Sequence, residues 1–255
     1  MEKTSGCCGG GRRDKRTNCA VCGKPLIYFP EEKLLECRLC HRRMPANAAC
    51  EDGHFICDAC HSGGGAGVLD LLLHTDEKDP VALFLRVTAL QEVHLHGPEH
   101  HSIVPCVLLT AYHNGGGRLE LGLERKLREA WTRGQKMAGG SCGFLGVCGA
   151  AAGAGIFASI VIGSSPLSPD KWAIPQRLTA SCLEAIAELG GPRCCKRTGR
   201  IAIEKAAEFS ARELGVAMPC SRPACTYSAW NSECIRNRCP FFPAREKDAA
   251  PEKPF

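Results

Sequence analysis

The sequence predicts a mainly α protein, in which a small treble-clef or zinc-ribbon-like metal module precedes an all-α helical domain. Three observations carry this. Cysteine pairs crowd residues 19–61, apolar residues beyond position 67 recur at helical spacing, and period-two alternation is nearly absent there. A chain of 255 residues is long enough for one such module plus a domain of ordinary size. Its 44% hydrophobic and 23% charged residues are those of a globular chain with a buried core.

The N-terminal stretch, residues 1–18, reads as a flexible basic leader. Lys3, Arg12, Arg13, Lys15 and Arg16 lie there among glycines, and the net charge of the whole chain is only +5. Such a run is read as solvated, with no function placed on it. It contains no apolar stretch of the secretory kind, so the nineteen cysteines are expected to be reduced and the protein cytoplasmic. In that setting Cys-x2-Cys pairs are metal ligands or redox groups far more often than structural bridges.

The module spans residues 19–61. Cys19 and Cys22, followed by Gly23, form a knuckle, and Cys37 and Cys40 repeat it fourteen residues later, with Leu26–Phe29 and Lys33–Glu36 suited to short strands. Cys50, His54, Cys57 and Cys60 complete eight ligands, enough for two structural zinc ions. The run from Cys37 to Cys60 also resembles the first ligands of a RING-type cross-brace, so the pairing of ligands is left open. Either partition closes both tetrahedra with protein atoms, which marks structural rather than catalytic zinc.

Residues 62–67, nearly all glycine, read as a linker, and 68–219 as the helical domain. Helical spacing runs over 67–74, 80–90, 98–113 and 118–136. Residues 144–162 carry no charge and are rich in glycine and alanine. That length permits a membrane span, but such small residues bury little apolar area and suit close packing, so a buried helix is expected and no membrane is favoured. Helices over 170–189 and 192–214 follow. The cysteine-rich segment 220–255 reads as a tail that closes on this domain. No dinucleotide-binding glycine motif, phosphate loop, Ser-His-Asp signature or internal repeat is present.

Three helix starts carry reactive side chains. His94–His101 packs four imidazoles and Glu99 around a Gly-Pro turn. There His96, His100 and His101 are the candidate metal or proton-transfer groups, with Glu99 as a base. Pro105 is expected to weaken that helix. Cys142 and Cys148 flank the entrance to the uncharged helix. In Gly190–Arg197, glycine stops one helix and proline starts the next, placing Cys194 and Cys195 in a first turn. The helix dipole and Arg193, Lys196 and Arg197 are there expected to lower the thiol pKa and bind an anion. The tail adds Cys220, Cys225 and a Cys234-x4-Cys239-Pro run that resembles part of an iron–sulfur ligand motif. Together these thiols suffice for a [4Fe–4S] cluster or a further metal.

The ordered series CxxCG, CxxC, GHxxCDxCH, HGPEHH, GxCGFxGxCGA, GGPRCCKR and NxxCxxxxCP resembles the DUF5714 domain family along nearly the whole chain. The resemblance implies a family of anaerobic bacteria and archaea, with an architecture but no assigned activity. Its pattern falls on Cys19, Cys22, Cys37, Cys40, Cys50, His54, Cys57 and Cys60. It then falls on His96, Glu99, His100, Cys142, Cys148, Arg193, Cys194, Cys195, Cys234 and Cys239. Cys7 and Cys8 are left without assignment. The expected function is an iron–sulfur or metal-dependent redox or sulfur-transfer enzyme with Cys194 or Cys195 as ligand or nucleophile, acting on a small-molecule or anionic substrate. The competing reading is a non-enzymatic zinc-module protein that binds a protein partner. Few aromatics and dispersed charge make nucleic acid the weaker choice.

Overall fold

The computed structural model describes residues 18–243, so the basic leader with Cys7 and Cys8, and the last residues of the tail, lie outside the described part. The fold is mainly α, as expected. The metal module is built on a two-stranded antiparallel ribbon, β1 (Leu26–Glu36) and β2 (Arg43–Cys50), paired from Leu26 with Cys50 to Glu36 with Arg43. The two short strands expected over 26–29 and 33–36 are one strand. Its register shifts between Tyr28 and Lys33, around Pro30, which has no N–H for the ladder. The partner strand β2 has no strong alternation and was not foreseen. A one-turn helix, α1 (Asp58–His61), ends the module.

The segment read as a linker is no spacer. Ser62 to Gly65 wind into a 3-10 turn that leads straight into α2 (Ala66–Leu73). Gly65 has φ +68 and lies flat against the Trp131 indole, where a Cβ would come within 2.2 Å of the ring. A side chain is therefore excluded twice, by backbone conformation and by space.

Seven helices follow α2: α3 (Pro80–Thr88), α4 (Glu99–Asn114), α5 (Leu123–Gly134), α6 (Ser141–Phe144), α7 (Gly149–Ile162), α8 (Ala173–Leu189) and α9 (Cys195–Phe209), the last running into a π turn at Ser210–Leu214. Asp79 caps α3 by accepting from Val81 N (2.8 Å) and Ala82 N (3.1 Å), with Pro80 at the first helical position. The centre of the core is α4, whose residues Ile103 to Leu109 are almost wholly shielded from water. Pro105 stays inside this helix and does not end it.

The small residues of the uncharged segment do what their size permits. α7 takes in only Gly149–Ile162, because residues 145–148 form a separate turn, and no described helix is long and apolar enough to cross a membrane. A Cβ on Gly153 would meet Pro105 at 2.9 Å, and one on Gly155 would meet Thr179 at 2.2 Å, so α7 lies backbone-close to both α4 and α8. On α9, Gly199 faces the Phe84 ring, 2.4 Å from where its Cβ would be.

Phe84 is fully buried and has nowhere to move. Gly199→Ala is therefore expected to destabilise the protein by about 1–2 kcal/mol through overpacking, against the gain of about 1 kcal/mol that alanine brings to an open helix interior. A urea-denaturation midpoint that rises in this variant would show that α9 does not press on Phe84.

Candidate metal centres and the thiol-lined cavity

The ribbon brings the eight module ligands into two groups by interleaving them. Cys19, Cys22, Cys50 and His54 converge at one end, and Cys37, Cys40, Cys57 and Cys60 at the other, each with ligand atoms within 4.8 Å of one another. Cys22 and Cys50 sulfurs are 3.7 Å apart, Cys40 and Cys57 sulfurs 3.8 Å. Antiparallel pairing dictates this, because β1 and β2 carry the first and second halves of the ligand series past each other. The pairing left open by the spacing is thus a cross-brace over all four pairs. Backbone amides of His54 and Cys57 donate to Cys50 Sγ (3.4 Å) and Cys37 Sγ (3.3 Å), as expected of sulfurs that carry charge. Arg42 beside Cys40 lowers that thiol to about 6, whereas burial pushes Cys60 up to about 12. Thiol-rich tetrahedra of this kind suit zinc or a metal of similar taste, and no coordination position is left open.

The helix that ends the module docks it on the helical domain. Asp58 accepts from Gly139 N at 2.7 Å. His61 Nδ1 lies 3.1 Å from Glu99 Oε2, and the His94 backbone N–H donates to Glu99 Oε1 at 2.9 Å, with His94 Nδ1 3.5 Å from the same oxygen. The two imidazoles stack with centroids 3.9 Å apart. Glu99 is only 2% exposed. Burial works to raise its pKa, but the hydrogen bonds from His61 and His94 outweigh it and hold the carboxyl well below its usual range. A carboxylate so held is a poor base, and its role is that of an anchor. His61, His94 and Glu99 form a third group within ligating distance. Sequence reasoning counted His94 among the four imidazoles of the cluster but singled out neither it nor His61, although His61 directly follows Cys60 of the module.

The other histidines of that cluster do not share a metal group, because the turn at Pro98 splays them apart. His96 Nε2 lies 3.2 Å from Asn231 Oδ1 and 2.8 Å from Glu233 Oε2, while its Nδ1 accepts from Cys195 N at 3.4 Å. His101 Nδ1 donates to the Met137 carbonyl at 3.1 Å. His100, fully enclosed, donates from Nδ1 to the Gly97 carbonyl (3.1 Å) and accepts at Nε2 from Lys196 Nζ (2.9 Å). That pair of bonds requires a neutral imidazole. Burial, with the Lys196 charge beside it, drives the His100 pKa well down.

Cys142, Cys148, Cys194 and Cys195 do come together. The starts of α6, α7 and α9 open on one cavity of about 620 Å³ that all four thiols line, with His101 and Arg193 on its wall. Arg193 lies 3.5 Å from Glu233 and 5.1 Å from the centre of the Tyr28 ring, so β1 of the metal module touches a residue of the cavity wall from behind. The expected lowering of the thiol pKa does not occur. Burial raises Cys194 and pushes Cys195 up to about 12, because desolvation outweighs the nearby cations. Nor do those cations all face the thiols. Lys196 Nζ also donates to the His94 carbonyl at 2.9 Å, and Arg197 donates to the carbonyls of Gly190 (2.9 Å) and Pro192 (2.8 Å), tying down the loop before α9.

Cys234 and Cys239 do not reach that cavity. They line a separate, smaller pocket with Cys225 and with Cys194, which touches both spaces. The composite thiol site expected from the motifs is therefore two neighbouring sites. Cys225 was named but not assigned, since it stands alone in the sequence. All seventeen cysteines of the described residues are free thiols.

Two expectations follow. The Cys19→Ser/Cys50→Ser double variant loses one equivalent of zinc relative to the parent chain in metal analysis; loss of two would restore a sequential pairing. His100 remains neutral in the native state while the unfolded chain protonates near pH 6.5. Stability is accordingly full above that pH and falls below it, by up to about 1.4 kcal/mol per pH unit. His100→Gln keeps a donor and an acceptor without a titrating group, so its denaturation free energy should fall less steeply than the parent's between pH 7 and pH 5.

No curated protein and no solved structure matches the chain. A family model does, over residues 68–242, which covers more than half of the sequence and leaves the metal module outside. The matched span holds the histidine cluster, both thiol-lined spaces and the tail cysteines. The chain belongs to the DUF5714 family, a family of unknown function.

Proposed function

We propose that this chain is a metal-dependent redox or sulfur-transfer enzyme. The module's two metal ions are structural zinc, and the chemistry belongs to the thiol-lined cavity of the helical domain. One observation carries the reading: the adjoining starts of α6 and α7 and the distant start of α9 present Cys142, Cys148, Cys194 and Cys195 to a single cavity large enough for a small molecule. Buried thiols with raised pKa values are weak nucleophiles and become thiolates on binding a metal, so these cysteines are ligands first. Arg193, partly open on the cavity wall, suits an anionic substrate. Family resemblance points to anaerobic metabolism.

The competing reading, a protein-binding module without catalysis, has its own support. Leu26, Ile27 and Leu34 on β1, and Leu39 after it, are exposed. Anaerobic purification followed by metal and sulfide analysis separates the two. The enzyme reading expects iron or a third metal beyond two zinc ions per chain. A colourless protein with zinc alone would refute it and favour the protein-binding module.

A further inference from the structure

The smaller pocket has features that the cavity lacks. Cys194 from the cap of α9 and Cys225, Cys234 and Cys239 from the C-terminal segment line it, and Ile235 and Phe241 are among its apolar walls. It has about 20 Å³ of room for unbonded atoms, where one water requires roughly 10–15 Å³ on the same measure, and metal atoms bonded to the sulfurs at about 2.3 Å come closer to them than water can. Three of the four sulfurs receive N–H donors: Tyr227 N to Cys225 Sγ and Arg236 N to Cys234 Sγ, both 3.4 Å, and Asn231 Nδ2 to Cys194 Sγ at 3.5 Å. Neutral thiols do not call for such donors, whereas metal-bound thiolates do.

The charge at this pocket is unbalanced. Arg200, 2% exposed, lies over the Phe241 ring at 3.8 Å, and none of its three guanidinium nitrogens makes a hydrogen bond. Nε of the equally buried Arg197 has none either. Glu204, whose charge acts on Arg200, is itself held by Arg222 at 2.7 Å. A buried guanidinium without an anion costs several kcal/mol. Arg200 without an anion, and Arg197 held only by carbonyl oxygens, lie beside four thiols and point to an anionic group between them.

The spacing of the sulfurs bears on which group that is. In the module the ligands close to the distances of a single ion, but among the described residues no three of these four thiols do so. A cluster of several metal atoms holds its four sulfurs further apart. Thiolates surrounding a [4Fe–4S] core carry together the dianionic charge that two guanidinium groups balance.

We infer that Cys194, Cys225, Cys234 and Cys239 hold a [4Fe–4S] cluster, balanced by Arg197 and Arg200. This deepens the reading above by naming the ligands of the third metal site. Cys142, Cys148 and Cys195 are then left to face the substrate cavity, and Cys194 joins the two spaces.

The test uses the full chain purified anaerobically and reconstituted with ferrous iron and sulfide, with folding monitored by far-ultraviolet circular dichroism. The parent is expected to carry iron and sulfide in equal amounts and a broad visible absorption. Cys225→Ser and Cys239→Ser lose most of both, and Cys142→Ser and Cys148→Ser keep them. Arg200→Gln retains all four thiols and should shift the cluster's reduction potential to a more negative value, a readout that survives if the serine variants fail to fold. Iron kept in the Cys225 and Cys239 variants but lost from the Cys142 and Cys148 variants overturns the assignment and leaves the enzyme reading standing. Zinc in place of iron at the tail thiols, or a potential unmoved by Arg200→Gln, overturns it as well. Iron absent from every preparation overturns the assignment, and if no third metal takes its place the enzyme reading falls too.

Discussion

Lys196, Arg197 and Arg200 lie on the first two turns of α9, each 4% exposed or less, and their burial constrains everything packed around them. A cation removed from water must find acceptors or an anion. Lys196 finds the His94 carbonyl and the bare nitrogen of His100, which pins α9 to the start of α4. Arg197 finds the carbonyls of the loop at Gly190–Pro192, which pins the same helix to the end of α8. The starts of α4 and α9, which in the sequence look like independent motifs, are thereby held against one another.

The same constraint reaches the metal module. Glu99, one residue before the histidine that receives Lys196, orients His61 and His94 and so ties α1 to α4. The module's two ligand groups are where metal ions would close its fold, since a ribbon of two strands has too little core of its own. Its placement on the helical domain rests instead on Glu99, on Asp58 and on the contact of Arg193 with Tyr28. Through that last contact, a strand from outside the matched family segment touches Arg193 on the cavity wall.

Desolvation and charge act in opposite senses on the cysteines of α9. A helix start with three cations would by itself favour thiolate, and an exposed site would behave that way. Here burial outweighs the cations, so Cys194 and Cys195 are protonated in the metal-free chain. A metal reverses the balance, since it replaces the proton with a stronger partner. That is why a ligand role suits these residues better than a nucleophile's.

Much of the chain was legible from spacing alone. Cys-x2-Cys pairs announce zinc-like sites because the ligands are local, and glycine-rich helices announce close packing because nothing larger fits at Gly153, Gly155 or Gly199. The helical class and the individual helix starts were likewise available from period and caps. Ligand pairing was not, because it depends on which strand of the ribbon meets which, and β2 has no pattern of its own. Nor was the direction of the thiol pKa shifts, which depends on burial. The division of the thiols between two spaces was equally hidden, since Cys225 and Cys194 are far apart in the chain and meet only through the fold of the tail. Sequence by itself determined that the module's cysteine pairs and His54 can bind metal and which helices carry the thiols beyond it. Only the tertiary structure decided which of them share a site, because coordination and desolvation are set by neighbours in space.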